Sequence, residues 1–315
     1  MQSEYIFTNE KTDNQSKQNL SKLFYNQKYA VVVFNNNIIG KYFDLYDLND
    51  YKHMMKKKPF FNTMKCVSNY RHIELLEFVY NNTHDKNDLK FLTNVLEIVN
   101  SALENGHFDV IEWFYNKKDQ IKFKYSVHAI NYASSKGHLD VIEWCYNKRN
   151  QIEFKYSYEA INYASSNKHL NVIEWFWSKK DQIEFKYSDD AVYLASENGH
   201  LDIVEWFWSN KNQIEFKYSK SVESECGDEN VIFLASCNGH LHVIEWFWSK
   251  KDQIEFKYSG NAIDWASGKG HINVIEWFWS KKNQIEFKYS ENAIYWASNY
   301  KHLDIVEWFE KHNLK

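Results

Sequence analysis

Several features that would direct the interpretation of a 315-residue chain are scarce or missing here. The only cysteines, Cys66, Cys145, Cys226 and Cys237, form no CxxC pair and no Cys/His metal spacing, which predicts free thiols in a reducing compartment. Basic and acidic residues number 38 and 42 and are well mixed, so no basic field for nucleic acid is visible.

Long apolar runs and a leader are also missing. No stretch approaches the roughly 20 apolar residues that a membrane helix needs. The first 20 residues are polar, so a signal peptide is not expected. We expect a cytoplasmic or nuclear protein that is neither secreted nor bound to a membrane.

One histidine recurs with a spacing of 31 residues, and each copy is followed five residues later by Glu and six residues later by Trp. A spacing of 40 residues interrupts the series once, between the fourth and fifth copies: His107, His138, His169, His200, His240, His271, His302. A diverged eighth copy, "NTMKCVSNYRHIELLEF" from residue 62, aligns with "NAIYWASNYKHLDIVEW" from residue 292. Periods of this length are typical of repeat proteins. The sequence predicts eight units over residues 61–315, an insertion within 220–230, and an N-terminal cap region over residues 1–60.

Each unit carries two helical patterns, with positions counted from the histidine as zero. Apolar residues at positions 1, 3, 4, 6, 7 and 8 span about 220° of a helix, which predicts a second helix covered on three sides. A shorter first helix precedes the histidine, with Ala at position −5, and Trp at positions 6 and 8 is expected in the core. Glu310 replaces Trp in the last copy, as expected for a unit with no following neighbour. The arm "QIEFKYS" alternates with a period of two, which predicts an extended segment. The predicted fold class is an all-α solenoid of stacked helix-turn-helix units with short extended arms.

The recurring polar residues do not predict catalysis or metal binding. Stacked helices lie about 8–10 Å apart, whereas ligands about 2 Å from one metal ion lie within roughly 4 Å of each other. One histidine per unit therefore cannot converge on an ion, and we expect each to bond across units. The Glu at position 5 is expected to be solvated, because an open convex surface offers no pocket. No catalytic residue, metal site or cofactor is predicted.

The units resemble the ankyrin-repeat family. "GHLDVIEW" is similar to the second helix of that family, "AIxYAS" lies where its first helix would be, and the Ile of "QIEF" occupies the place of its Val. Lys replaces the Gly that ends the second helix in the family, so an extended arm is expected instead of a hairpin finger. The Asn- and Lys-rich units look most similar to ankyrin proteins of giant amoebal DNA viruses.

The resemblance implies a monomeric, non-enzymatic scaffold that binds a protein partner, whose identity the sequence does not give. The residues that vary between units near the first helix, together with the acidic insertion, are the candidate contacts: His128, Asn131, Glu159, Asn162, Asp190, Tyr193, Glu223, Glu225, Phe233, Asp264, Asn292 and Tyr295.

Two alternatives stay open at this stage. Residues 29–40 predict a hairpin and residues 42–58 a helix, and this cap could carry an enzymatic or nucleic-acid-binding activity that the array supports. Alternatively, the near-identical units could be a recent expansion with little specific function.

Overall fold

The computed structural model describes residues 4–8, 29–34, 37–38, 43–44, 71, 73–81, 89–121, 123–218 and 230–314. Its contacts divide the chain into two compact units, residues 1–130 with 140–155 and residues 131–139 with 156–315. The first holds the strands and the earlier repeats. The second holds the later repeats.

A small antiparallel sheet forms from four strands: β1 (Glu4–Thr8), β2 (Tyr29–Phe34), β3 (Asn37–Ile38) and β4 (Phe43–Asp44). Strand β2 pairs with each of the other three, and it meets β3 through Val33 opposite Ile38. This pairing lies where the sequence predicted a hairpin. The helix predicted over 42–58 is wrong at its start, since Phe43–Asp44 is strand β4, and its remainder lies outside the described residues. The boundary at residue 60 also lies outside them and stays a prediction.

From residue 73 onwards the described elements are helices, and they alternate as the repeat predicts. The second helices are α1 (Ile73–Asn81), α3 (Phe108–Asn116), α5 (Leu139–Asn147), α7 (Leu170–Ser178), α9 (Leu201–Ser209), α11 (Leu241–Ser249), α13 (Ile272–Ser280) and α15 (Leu303–Lys311). The first helices are α2 (Leu89–Glu104), α4 (Val127–Ser135), α6 (Glu159–Ser166), α8 (Asp190–Glu197), α10 (Val231–Cys237), α12 (Gly260–Gly268) and α14 (Glu291–Asn299). The helix-turn-helix prediction is confirmed.

Each first helix ends because a residue with positive φ stops it. At the end of α4, the amide of Gly137 (φ 73°) donates to Ser134 O, and the amide of His138 donates to Ala133 O. These two bonds form a Schellman motif, in which glycine takes the left-handed conformation at no steric cost. Lys168 and Lys301 take the same place and adopt φ of 64° and 66°. The chain is thereby turned directly into the second helix, with the histidine as its N-cap residue.

The core lies along the second helices at the predicted positions. Phe at position 7 is the largest fully buried side chain that recurs, and the Val and Ile at positions 3 and 4 are fully buried beside it, except for the half-buried Val306 of the last unit. Trp at position 6 is at most 9% exposed in most units, although Trp206 is half-buried. Trp at position 8 is half-buried, so the prediction of a core position is correct there only in part.

The arms are extended segments, as predicted. Residues 153–157, 184–188, 215–218, 255–259 and 286–290 form neither helix nor strand. The second helices before them end on residues with φ near −100°, such as Lys179 (φ −101°) and Lys250 (φ −103°), and not on a left-handed residue. Along an arm, Ile152 and Tyr156 are buried while Glu153 and Lys155 are exposed, which confirms the period of two.

Tyrosines at the ends of the arms connect successive units. The hydroxyl of Tyr187 donates to Glu215 O at 2.5 Å, and Tyr156 and Tyr258 make the equivalent bonds to the backbone of the arm that follows each. The array is therefore joined at the arms as well as through its helices.

Candidate functional site

Four of the candidate contact residues are buried, which corrects their assignment to a surface. Asn131, Asn162, Tyr193 and Asp264, all at position −7 of a first helix, are 0%, 3%, 7% and 1% exposed. Buried polar side chains require hydrogen-bond partners. Asn131, Asn162 and Asp264 find them in the serine that ends the next "KYS" segment, 26 residues later.

The bond pattern at position −7 is the same whether the residue is Asn or Asp. Asn162 Nδ2 donates to Ser188 Oγ at 2.6 Å, while its Oδ1 accepts from the backbone amide of Ser188 at 3.2 Å. Asp264 accepts from the amide of Ser290 at 2.8 Å and from its hydroxyl at 2.5 Å. Burial raises the pKa of Asp264, while the bonds from Ser290 oppose that rise. In the units of Asn131, Asn162 and Asp264, position −7 therefore joins one unit to the next and is not available to a partner, whereas Tyr295 at the same position is 64% exposed.

Three units hold an aromatic residue at position −7 instead, Tyr193, Phe233 and Tyr295. Phe233 replaces the polar residue, and the hydroxyl of Ser259, which would be its partner, is buried without any hydrogen bond. The serine after Tyr193 is Ser219, which lies outside the described residues. Phe233 itself is half-buried.

The remaining candidates lie at or near the surface where they are described. His128 and Asn292 are exposed, Glu159 and Asp190 are half-buried, and Tyr295 is 64% exposed. Glu223 and Glu225 lie outside the described residues, so their proposed contact role is untested.

Sequence reasoning missed the side chains that the first helices expose at position −6. One residue corresponds to 100° of helix rotation, so position −6 points outward where position −7 points to the next unit. Tyr132 is 43% and Trp265 is 44% exposed, large fractions for such side chains. The signal was available, because an aromatic residue recurs at this position in four units.

We define the first-helix strip as the described side chains at positions −6 and −2 of the repeats in the second compact unit. The repeat that contains α10 is left out because its Leu234 is buried. Its members are Tyr132, Lys136, Tyr163, Asn167, Leu194, Asn198, Trp265, Lys269, Trp296 and Tyr300.

Aromatic contacts link the strip from one unit to the next. Tyr132 and Tyr163 stack with their centroids 6.1 Å apart and their planes at 6°, and Trp265 and Trp296 lie 5.1 Å apart. Burial, and secondarily the carboxylate of Glu159, raise the pKa of Tyr163, so its hydroxyl stays protonated.

Polar residues frame these rings. Asn167 Nδ2 donates to Ser135 Oγ at 3.2 Å, and Lys269 Nζ donates to Asn238 Oδ1 at 3.3 Å. The strip thus combines large aromatic surfaces with amide and ammonium groups, the mixture enriched at protein interfaces.

The histidines bond across units, as predicted. His200 Nε2 lies 3.1 Å from Ser166 O in the preceding unit, and His240 and His271 bond the backbone of Glu197 and Cys237. Burial is the main cause that lowers the pKa of all three. The histidine rings also lie close to the glycines that end the first helices. A Cβ added to Gly137 would lie 2.5 Å from Nδ1 of His169, the histidine of the following unit. Among the described residues, no group of three or more His, Cys, Asp or Glu is placed to hold a metal ion.

A cleft of about 520 Å³ opens beside the arms, lined by Tyr187, Ser188, Asp189, Glu215, Phe216, Lys217 and Tyr218. Several of its polar groups already have partners: Glu215 pairs with Lys217 at 3.8 Å, and Ser188 bonds Asn162. These contacts do not form a nucleophile with an adjacent base. Glu at position 5, the other recurring carboxylate, is exposed from α3 onwards, as predicted.

These features define a class of protein, a helical repeat solenoid with units joined through arms and first helices. The family model for ankyrin repeats in three copies matches residues 130–217 and 192–289, which together cover just over half of the chain. The chain belongs to the ankyrin-repeat family, whose repeats are generally protein–protein interaction modules and typically not catalytic. No curated protein matches the chain. Within the described residues, no helix is long and apolar enough to cross a membrane.

Proposed function

We propose that the chain is a non-enzymatic scaffold that binds another protein through the first-helix strip. The observation that carries this proposal is the exposure of Tyr132 and Trp265 beside polar groups on successive first helices. Tyrosine and tryptophan dominate the residues that contribute most to binding at protein interfaces. Tyr300 of the strip is 63% exposed, and Tyr158 and Tyr295, which are 51% and 64% exposed, extend the available aromatic surface near the strip.

The candidates from the sequence divide accordingly. His128, Glu159, Asp190, Asn292 and Tyr295 remain proposed contacts at the edge of the strip. Glu223 and Glu225 remain proposed contacts in the insertion. Phe233 is proposed only as a minor contact, because it is half-buried.

The setting of this function is also a proposal. Cys145 and Cys237 are buried and form no disulfide, which fits a reducing intracellular compartment, cytoplasmic or nuclear. We propose a monomer, and the Asn- and Lys-rich units support an origin in a giant amoebal DNA virus. The proposal invokes no cofactor, nucleic acid or membrane.

Affinity capture from the native host cell, followed by mass spectrometry, tests the proposal with three proteins. The unaltered chain is compared with a strip variant, Tyr132→Ser with Trp265→Ser, and with a matched control, Glu205→Gln with Glu245→Gln, on the exposed side of the second helices. A partner that binds the unaltered chain and the control but is lost from the strip variant supports the proposal. A partner retained by the strip variant, with the circular dichroism melt unchanged, contradicts it.

A further inference from the structure

A row of lysines follows the C-terminal ends of the second helices in the second compact unit. Positions 10 and 11 of four consecutive units hold seven lysines: Lys179, Lys180, Lys211, Lys250, Lys251, Lys281 and Lys282. Only Asp181 and Asp252 interrupt them in the same turns, where Asn occurs in the other units. A chain with a formal net charge of −4 therefore carries a concentrated positive edge.

The lysines at position 11 all lie over tryptophan rings. Each lies over the indole at position 8 of its own unit, with Nζ to centroid distances of 4.2 Å for Lys180, 3.3 Å for Lys211, 5.3 Å for Lys251 and 3.5 Å for Lys282. A cation over an indole is attracted by the negative face of the ring. Among the described residues, Lys251 is the only one of the four with an acidic neighbour within ion-pair distance, Asp252 at 3.7 Å.

The indoles are themselves fixed, so the ammonium groups have defined positions. Trp208 lies edge-on to Trp246 of the next unit at 5.7 Å and against Phe216 of its own arm at 5.2 Å. The same contacts recur at Trp177, Trp248 and Trp279. Because these rings bind the lysine stems in place, less side-chain freedom is lost when a ligand pairs with Nζ.

We propose that this lysine edge is a second binding surface, which takes an extended acidic polypeptide segment. Its lysines at position 11 recur once per unit, and stacked helices lie about 8–10 Å apart. Three residues of an extended chain span about 10 Å. A segment with a carboxylate at every third residue therefore matches the lysines in register.

Two observations favour a polypeptide over nucleic acid. A single strand binds by stacking its bases on aromatic faces, but these indoles are covered by lysine and by neighbouring rings. The exposed Glu at position 5 of the same helices, such as Glu205 and Glu276, also repels a polyanion with the high charge density of a nucleic-acid duplex. Sparse carboxylates in register with the lysines avoid that repulsion.

A lysine at a helix C-terminus also interacts favourably with the helix dipole, and this interaction would explain the row of lysines even if no ligand binds there. The arms supply a matched control, because Lys186, Lys217, Lys257 and Lys288 come from the same four units. Each is already paired with the Glu two residues before it, at 2.7–3.8 Å. Replacing either set by glutamine removes the same net charge.

The experiment measures fluorescence anisotropy of a labelled 12-residue peptide with Glu at every third position and Ser or Gly elsewhere. The edge variant, Lys180→Gln, Lys211→Gln, Lys251→Gln and Lys282→Gln, should weaken binding by roughly tenfold or more, as expected for four exposed ion pairs acting together. The arm variant, Lys186→Gln, Lys217→Gln, Lys257→Gln and Lys288→Gln, should bind as the unaltered chain does. Arginine at the four edge positions should retain binding, since it keeps the charge and stacks on indole.

Binding should also weaken as salt is raised from 50 to 200 mM, as these are exposed charges. Equal loss in the edge and arm variants would overturn the proposal, because it would show attraction to net charge alone. Absence of peptide binding, or tighter binding of a 12-nucleotide single strand, would overturn it too. Neither set of variants alters the first-helix strip, so the outcome is separate from that of the capture experiment.

Discussion

At the scale of the residue, the serine that ends each arm is a sensitive probe of how the units are joined. Ser188 accepts a bond from Asn162 of the preceding unit and another from the amide of Asp190, at the start of its own first helix. Ser259 occupies the same place, but Phe233 stands 26 residues before it, and its buried hydroxyl has no hydrogen bond. One chain therefore contains both a satisfied and an unsatisfied version of the same site.

Replacing these serines by alanine should give different results. Ser188→Ala should lower the free energy of unfolding by about 1–2 kcal/mol, because it removes the hydroxyl that accepts from the amide of Asp190 and leaves the buried side-chain amide of Asn162 without that partner. Ser259→Ala should cost less than about 0.5 kcal/mol or should stabilise, because its hydroxyl is buried without a partner. Urea denaturation of both variants measures the difference, and equal losses would contradict the contacts described.

The tryptophan at position 6 can be compared with its exposed neighbour in the same helix. Trp206 packs edge-on against Trp177 at 5.9 Å and against Phe207 at 5.1 Å, while Glu205 is exposed. Trp206→Ala should cost about 3–5 kcal/mol as a large-to-small core change. Glu205→Gln should change stability by less than about 0.5 kcal/mol. A loss below about 1 kcal/mol for Trp206→Ala in urea would count against the packing between units.

At the scale of the element, the repeat was predictable because its signals are local and recur. The arc of apolar positions predicted the second helix, and the period of two predicted the extended arm. The orientation of the first helix could not be predicted, since its pattern is only about two turns long and contains small residues on several sides. Position −7 was therefore taken as exposed and position −6 was overlooked, an error of one residue that moves a side chain by 100°.

The variability of position −7 also has a physical explanation that the sequence alone did not supply. Asn131, Asn162 and Asp264 serve the same bond to serine, so the position tolerates either residue without any partner being involved. The half-buried state of Trp177 and Trp208 was likewise not predictable, because their contacts to lysine come from the turn that follows the helix.

The histidines at the start of the second helices should make stability depend on pH. Burial lowers the pKa of His200, His240 and His271 in the folded chain, whereas the unfolded chain protonates near pH 6.5. Their neutral form is thus favoured by folding. The stabilisation is complete above about pH 6.5 and is lost as pH falls below that value toward the folded pKa.

Urea denaturation at pH 7.5, 6.5 and 5.5 checks this dependence. The free energy of unfolding should fall from the second pH to the third, and His240→Asn should reduce the fall because one such group is removed. An unaltered slope in that variant would show that the loss of stability at low pH comes from other groups.

At the scale of the whole molecule, the family and the contacts between units define a scaffold whose surfaces repeat along the chain. Stability in such arrays is approximately a sum of unit and interface terms. Changes at the surface of a few units should therefore leave the other units folded. This separation allows the first-helix strip and the lysine edge to be altered independently.

The central claim is that a protein partner binds the first-helix strip, and hydrogen–deuterium exchange of the complex with a captured partner tests it most directly. Binding should slow amide exchange in the first helices α6, α12 and α14 of the second compact unit, with little change in the second helices α7, α11 and α13. Slowed exchange confined to residues 1–60, with the first helices unaffected, would contradict the account and would indicate that the array only supports an activity located there.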